Sequence, residues 1–214
     1  MLFPKPVAAL HDPTGIQANS GTVYSGSAQM VAFVKSGYDS NVWTYVSAHE
    51  YNGDFDFHGD RDGGIGTAYL EFYCLIKIKP ADSSHKYLQL SIDADFLYGI
   101  SSGWLSVASW EAYWVVVDMG QSTPIVRGWS SYHPGDSVSW SQKNSQSWSS
   151  STGYKDIYDS LYFNDYYEFS TSQYYFVGIW LRAGLSGFSE FYKTSWPNGN
   201  ADWDTHYISW NFFT

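Results

Sequence analysis

The chain has 214 residues and a formal net charge of −10 at pH 7, and aromatic residues make up 20% of it. This charge would repel a phosphate backbone, so nucleic acid is not expected as a partner. No apolar run approaches the ~20 residues that span a bilayer, so membrane insertion is not expected either. The single cysteine, Cys74, excludes an internal disulfide.

The N-terminal 20 residues differ from the rest of the chain. Pro4, Pro6 and Pro13 favour an extended course over a helix. We therefore expect an extended arm at residues 1–20 and a single domain at residues 21–214. The arm contains a small apolar run that could lie against its own domain or donate a strand to a neighbouring subunit. The candidate assembly residues of this run are Pro6, Val7, Ala8, Ala9 and Leu10.

Two-residue alternation of apolar and polar side chains predicts most of the remaining structure. Residues 67–79 form one long stretch of this kind, and at roughly 3.3 Å per residue it would extend on the order of 40 Å. That length suits a sandwich better than a small barrel. Strands are expected at 22–35, 42–51, 67–79, 87–98, 104–119, 125–129, 137–147, 173–185 and 205–213.

The connections follow from the same pattern. We expect an acidic loop at 52–66, a hairpin joining 67–79 to 87–98, and a serine-rich loop at 147–153. Residues 154–169 fit either a short helix or a strand. No segment is strongly helical, so the sequence predicts an all-β, two-sheet antiparallel β-sandwich of jelly-roll type.

Residues 104–119 are apolar on both faces, which places this strand in the centre of the domain or at an interface. Trp104, Trp110 and Trp114 share one of these faces. Tryptophan rings stack on sugars, so these three could form a glycan-binding platform. They could equally fill the core between the sheets.

Two acidic segments are candidate calcium sites, because calcium prefers several hard oxygen ligands around a tight turn. The first, DFDFHGDRDGG, supplies Asp54, Asp56, Asp60 and Asp62, although Ile65 stands where a calcium loop would place its bidentate glutamate. The second, NGNADWD, supplies Asn198, Asn200, Asp202 and Asp204. Both segments could also be solvated loops that bond their own backbone.

A glycoside hydrolase needs two carboxylates that face each other across a cleft. Glu71 and Glu111 lie on strong predicted strands and form the one conceivable pair. Their surroundings, AYLEFYC and SWEAYWV, do not match the motifs of small xylanases or cellulases. Hydrolysis is therefore the third function considered.

The block at 173–213 contains YYFVGIWL, then a stretch of small and aromatic residues, then YISWNF. In this order of strands it resembles the closing portion of uncharacterised exported archaeal β-sandwich proteins. The resemblance implies a cell-surface or fibre-forming protein and brings no catalytic residues. The N-terminus lacks the pattern of a secretory signal, so an exported protein would be present here in its mature form.

These observations lead to three expectations about function. The first is a non-enzymatic extracellular structural protein that self-assembles into a surface filament, with residues 2–10 as the donated strand. Few lysines guard its strand edges, which favours self-association. The alternative is a carbohydrate-binding module or lectin-like protein that uses surface Trp and Tyr. The third is a small jelly-roll glycoside hydrolase.

Overall fold

A computed structural model describes residues 13–37, 45–50, 53–102, 107–118, 125–127, 140–145, 149–163, 167–192 and 201–214. These residues form twelve β-strands and, within the described ranges, no helix. The prediction of an all-β sandwich is confirmed. The strands are β1 (Ile16–Gln17), β2 (Ser20–Tyr24), β3 (Met30–Gly37), β4 (Tyr45–Glu50), β5 (Asp54–Lys79), β6 (Tyr87–Ser102), β7 (Val107–Asp118), β8 (Ile125–Arg127), β9 (Trp140–Ser145), β10 (Ser149–Phe163), β11 (Tyr175–Tyr192) and β12 (Ala201–Phe213).

The strands form two layers. Sheet 1 has the order β3–β5–β11–β7, with β1 and β4 also paired to β5 and with β8 and β9 paired to β7. Sheet 2 has the order β2–β12–β6–β10. At one end the layers are hydrogen-bonded to each other, because β5 pairs with β12 and β11 pairs with β6. All of these pairings are antiparallel except that of β1 with β5.

The core lies between the two sheets and is rich in aromatic rings. Phe72 of β5, Phe96 of β6, Trp114 of β7 and Trp203 of β12 are all fully buried there. Burying one such side chain stabilises the fold by about 1.5–3 kcal/mol. The inward positions alternate along each strand, which is why the two-residue pattern of the sequence identified them.

Strand β7 is buried on both faces. Trp110 and Trp114 are 1% and 0% exposed and pack in the core between the sheets. On the opposite face, Tyr113 and Val115 belong to a second buried apolar cluster. The sequence therefore identified a doubly covered strand correctly. A glycan platform at Trp110 and Trp114 is wrong, because a buried ring offers no face to a ligand, while Trp104 lies outside the described residues.

The expected hairpin between residues 67–79 and 87–98 is wrong. These stretches belong to β5 and β6, which lie in opposite sheets and face each other across the core. Residues 80–86 therefore cross from sheet 1 to sheet 2, and hydrogen bonds hold them in place. The amides of Ala81 and Asp82 donate to Asn19 Oδ1 at 2.9 and 3.2 Å, and the Lys86 amide donates to the Phe213 carbonyl at 2.9 Å.

Three other boundaries differ from the sequence expectations. The acidic segment at 54–66 is not a loop, since β5 begins at Asp54 and continues without a break to Lys79. The serine-rich segment is not a loop from residue 149 onwards, because β10 begins at Ser149. The same strand includes residues 154–163 of the ambiguous stretch, whereas residues 167–169 lie outside any strand. Residues 22–35 are two strands, β2 and β3, separated by a turn at which Gly26 has φ +78°.

Part of the predicted N-terminal arm lies in the sandwich. β1 pairs with the end of β5 at Ile78 and Lys79, and β2 starts at Ser20. The candidate assembly residues 6–10 lie outside the described residues. Among the residues that are described, none belongs to a helix of the length and hydropathy needed to cross a membrane.

Candidate functional site

The outer face of sheet 2 carries exposed tyrosines. Among the described residues, the exposed large apolar side chains are Tyr24, Tyr158 and Tyr162, at 65%, 76% and 53%. Tyr24 lies on β2, and Tyr158 and Tyr162 lie on β10, with neighbours such as Val23 and Phe163 pointing into the core. Exposed aromatic rings on one face make this face the candidate binding surface.

A row of residues on this face joins all four strands, and we call it the tyrosine row: Tyr24, Tyr207, Asp93 and Tyr158. With strands about 4.8 Å apart, it extends roughly 14 Å across the sheet. Tyr24 meets Tyr207 edge to face at 6.0 Å between ring centroids. The hydroxyls of Tyr207 and Tyr158 hydrogen-bond to each other, and partial burial together with this bond raises the pKa of Tyr207.

The next row along the strands, which we call the hydroxyl row, has only small side chains. It consists of Thr22, Ser209, Ser91 and Ser160.

Beyond the hydroxyl row the side chains become large again. Asn211, Gln89 and Tyr162 are in register there, and the Phe213 ring meets Tyr162 edge to face at 6.0 Å. Tyr87 packs against Phe213 at 5.7 Å. Because successive rows are two residues apart, the small hydroxyl side chains form the floor of a shallow trough about 13 Å wide between two sets of rings.

An acidic row borders the tyrosine row on its other side and contains Asp54, Asp204, Asp95 and Asp156. Burial raises the pKa of Asp54, and hydrogen bonds from the Ser25 hydroxyl and the Thr205 amide oppose this rise. Burial also raises the pKa of Asp204, and the charges of Asp202 and Asp54 add to the effect.

The fold therefore brings together the two segments that the sequence analysis treated as separate calcium sites. Asp54 pairs with Asp204 and Asp56 pairs with Asp202 across β5 and β12. The proposed geometry of the first site is nevertheless wrong. Asp54, Asp56, Asp60 and Asp62 all lie on one extended strand, so the first and last are separated by roughly 26 Å and cannot surround one ion.

No group of three or more His, Cys, Asp or Glu side chains is placed to hold a metal ion within the part of the chain that the structure describes. Asn198 and Asn200 lie outside that part. Calcium binding by a smaller set of these carboxylates stays a prediction.

A β-bulge in β12 places His206 between the acidic row and the tyrosine row. The register of β12 against β6 shifts between Thr205 and Tyr207, so His206 and Tyr207 are consecutive residues on the outer face. His206 Nδ1 lies 3.2 Å from Asp93 Oδ1, and Nε2 lies 3.4 Å from Asp95 Oδ2.

Thr205 anchors the bulge from inside the core. It is fully buried, and its Oγ1 accepts a hydrogen bond from Trp203 Nε1 at 2.9 Å and donates to Cys74 Sγ at 3.3 Å. Its amide donates to Asp54 Oδ1 at 3.2 Å. The bulge is therefore tied to β5 by both its side chain and its backbone.

The pair of glutamates considered for hydrolysis lies on sheet 1, on the opposite side of the molecule. Arg182 of β11 is in register with Glu71 of β5 on one side and with Glu111 of β7 on the other. Lys35 of β3 is in register with Glu71. Charges of alternating sign on neighbouring strands stabilise a sheet, so this register has a structural explanation. The Glu71 and Glu111 pair stays a prediction.

No sequence signal selected the tyrosine face before the fold was known. Tyr207 lies at an outward position of a predicted strand, but outward tyrosines are common in sheets. Tyr158 and Tyr162 lie in the stretch that fitted a helix and a strand equally. A sequence criterion that could have identified the face is the coincidence of outward Tyr, Ser, Asn and Gln on several strands.

No protein-family model and no curated protein matches the chain. Among solved structures, it is similar to the enzymatically active domain of bacteriophage CBA120 tailspike protein 4, with 13% identity and a TM-score of 0.28. It is also similar to the glycoside hydrolase domain of Endo-D from Streptococcus pneumoniae R6, with 9% identity and a TM-score of 0.30. These matches cover 89% and 91% of this chain but only 21% and 28% of the other proteins.

A third similar structure is TmCBM61 in complex with β-1,4-galactotriose, with 8% identity and a TM-score of 0.23. That match covers 85% of this chain and 88% of the other. At such low TM-scores, these likenesses assign no function to this chain.

Proposed function

We propose that this protein binds carbohydrate through the outer face of sheet 2, without cleaving it. The observation that carries the proposal is the placement of Tyr24, Tyr158 and Tyr162 on one face, where their rings are more than half exposed. Their shared position on one face of one sheet is what favours a ligand-binding role.

The residue types on this face suit a sugar. Tyrosine offers a flat apolar ring for the C–H groups of a pyranose and a hydroxyl for its polar edge. The hydroxyl row and the neighbouring Asn211 and Gln89 supply donors and acceptors for the hydroxyl groups of the sugar. Rigid strands hold all of these groups, so little conformational entropy is lost when the ligand binds.

The proposal differs from the first expectation raised by the sequence. A filament built by strand donation depends on residues 2–10, which lie outside the described residues, and it stays a prediction. An extracellular location is part of the present proposal, because polysaccharides are met mainly outside the cell.

The test is to screen the purified protein on a glycan array and to measure the affinity of each hit by isothermal titration. Tyr158→Ala should weaken binding about tenfold, since one aromatic contact contributes about 0.5–1.5 kcal/mol beyond its buried area and 1.4 kcal/mol is a tenfold change. Tyr24→Ala should have a similar effect. Both side chains are exposed, so neither change should lower the melting temperature noticeably.

Tyr174→Ala is the matched control. Tyr174 lies beside Lys77 and Lys79 of β5, on sheet 1, where Lys79 Nζ is 4.7 Å from its ring centroid. This control should bind the glycan like the wild type. Equal losses in Tyr158→Ala and Tyr174→Ala, or no hit on a broad array, would refute the proposal.

A further inference from the structure

The outer face of sheet 1 carries an apolar cluster that is buried, unlike the exposed face of sheet 2. Leu75, Val115 and Trp180 are 0%, 1% and 2% exposed, whereas Tyr158 on sheet 2 is 76% exposed. A sheet face is this inaccessible to water only when something lies over it. We call this set of side chains the outer cluster: Tyr73, Leu75, Tyr113, Val115, Val117, Phe176 and Trp180.

The described strands do not account for this burial. Each of them is paired within sheet 1 or sheet 2, and sheet 2 packs against the other face of sheet 1. Within the described ranges, therefore, no strand lies over the outer cluster. The burial is already present in a single chain, so a segment of the same chain is the natural cover.

The path of the chain before β1 directs residues 1–12 towards this face. β1 runs parallel to β5, with Ile16 beside Ile78. Upstream of Ile16 the place beside β5 is already taken, because β3 begins there with Met30 paired to Ile76. The chain that precedes β1 must therefore leave the plane of the sheet.

Gly15 and Pro13 indicate the side on which it leaves. A Cβ on Gly15 would lie 2.5 Å from Tyr174 Cε1, so the Tyr174 ring rests directly against the Gly15 backbone. The same ring lies 5.4 Å from Lys77 Nζ and 4.7 Å from Lys79 Nζ, and both lysines alternate with inward residues of β5. The contact is therefore on the outer face of sheet 1. Pro13 is buried, so the chain has not turned into solvent at that point.

We infer that residues 1–12 pack over the outer cluster of their own chain and form a third layer of the molecule. Their length is sufficient, since twelve extended residues reach about 40 Å at roughly 3.3 Å each, and the outer cluster extends only about 13 Å along β11 from Phe176 to Trp180. Their side chains are mainly apolar, in the order MLFPKPVAALHD. The equally long segment 128–139, GWSSYHPGDSVS, is mostly polar and suits this face less well.

The prolines favour packing on a face over pairing at a sheet edge. Pro4 and Pro6 have no N–H to donate to a neighbouring strand. Extended segments that contain proline dock instead on surfaces lined by aromatic rings. Tyr73, Tyr113 and Trp180 provide such rings in the outer cluster.

A cysteine placed in the outer cluster reports whether it is covered. Val115→Cys lies between Tyr113 and Val117 on β7 and should react slowly with maleimide in the full-length protein. Deletion of residues 1–12 should speed this labelling about tenfold or more, and a factor of ten corresponds to about 1.4 kcal/mol of protection. The native Cys74 is fully buried in the other face and should not be labelled while the protein is folded.

Two further variants keep the test independent of the deletion. Tyr158→Cys, on the exposed face of sheet 2, should be labelled fast with or without residues 1–12. Val7→Asp would bring a charge into the proposed contact and should speed labelling of Val115→Cys in the full-length chain. Thr14→Asp, at an exposed position, should leave that labelling slow. If the chain without residues 1–12 does not fold, as judged by circular dichroism, the comparison of Val7→Asp with Thr14→Asp decides.

Three results would overturn the inference. Fast labelling of Val115→Cys in the full-length protein would show that the face is open. Slow labelling that persists in the deletion and in Val7→Asp would show that another segment covers it. Labelling that speeds on dilution, together with a fall in mass measured by light scattering, would assign the cover to residues 1–12 of a second copy. Carbohydrate binding by sheet 2 is unaffected by any of these results.

Discussion

Gly178 lies near the start of β11, between β5 and β7, and the structure leaves no room for a side chain there. Its φ is +154°, and a Cβ at this position would lie 2.1 Å from the backbone carbonyl oxygen of Cys74 and 3.1 Å from Leu75 Cα. Both obstacles are backbone atoms of the neighbouring strand, so no rotamer change relieves them. We expect Gly178→Ala to push β11 away from β5.

The magnitude follows from two costs. Forcing alanine into a backbone conformation reserved for glycine costs about 1–3 kcal/mol. Overpacking a tight interior costs a further 1–3 kcal/mol or so. The sum, about 2–6 kcal/mol, is a large part of the roughly 5–15 kcal/mol that stabilises a typical domain. At about 2–4 °C per kcal/mol for a chain of this size, the melting temperature should fall by on the order of 10 °C.

Thermal unfolding followed by circular dichroism measures this effect, and Gly26→Ala is its control. Gly26 also has a positive φ, +78°, but a Cβ there would meet nothing within 4 Å. Its substitution should cost only the local backbone penalty of about 1–2 kcal/mol. If Gly178→Ala unfolds at the same temperature as Gly26→Ala, or as the wild type, the register of β11 against β5 is wrong.

Three further outcomes are expected elsewhere in the fold. Thr205→Val leaves Trp203 Nε1 buried without its acceptor, so it should lower the free energy of unfolding in urea by about 1–3 kcal/mol. Thr205→Ser keeps the hydroxyl and should lower it less. Equal losses in the two variants would argue against the hydrogen bond. Because the folded state raises the pKa of Asp204 above 3.8, stability should fall as the pH rises through the folded pKa. Asp204→Asn should therefore raise the melting temperature at pH 7 but not at pH 3, and a gain of the same size at both would contradict this cause. Cys74 is fully buried, and burial raises its pKa to about 12. Its thiol should therefore react with maleimide at pH 8 only when the protein unfolds. Prompt labelling of the native protein would refute its burial.

The sequence correctly predicted those strands that have one apolar face in the core. The stretch 67–79 was identified as one strand because Phe72, Cys74, Ile76 and Ile78 alternate with more polar residues. The same reasoning failed at 54–66, where acidic residues suggested a loop. Acidic side chains disfavour a strand only locally, and pairing with β4 and β12 outweighs that preference.

Strand partners could not be predicted from local pattern. Residues 67–79 and 87–98 looked like a hairpin because a short connection usually joins paired strands. In the fold, the connection crosses between sheets and is held by Asn19, which is more than 60 residues away in the chain. Contacts of this kind leave no trace in the alternation of either strand.

The alternation of side chains, together with the length of the strands and the lack of helical segments, indicated a β-sandwich, since strands with one apolar face bury it when two sheets pack together. It also identified β7 as a strand that is buried on both faces. The tertiary structure decided which outward residues meet, because register between distant strands depends on long-range hydrogen bonds and on the bulge at Thr205. For that reason, the acidic row and the tyrosine row become visible only when β2, β12, β6 and β10 lie side by side.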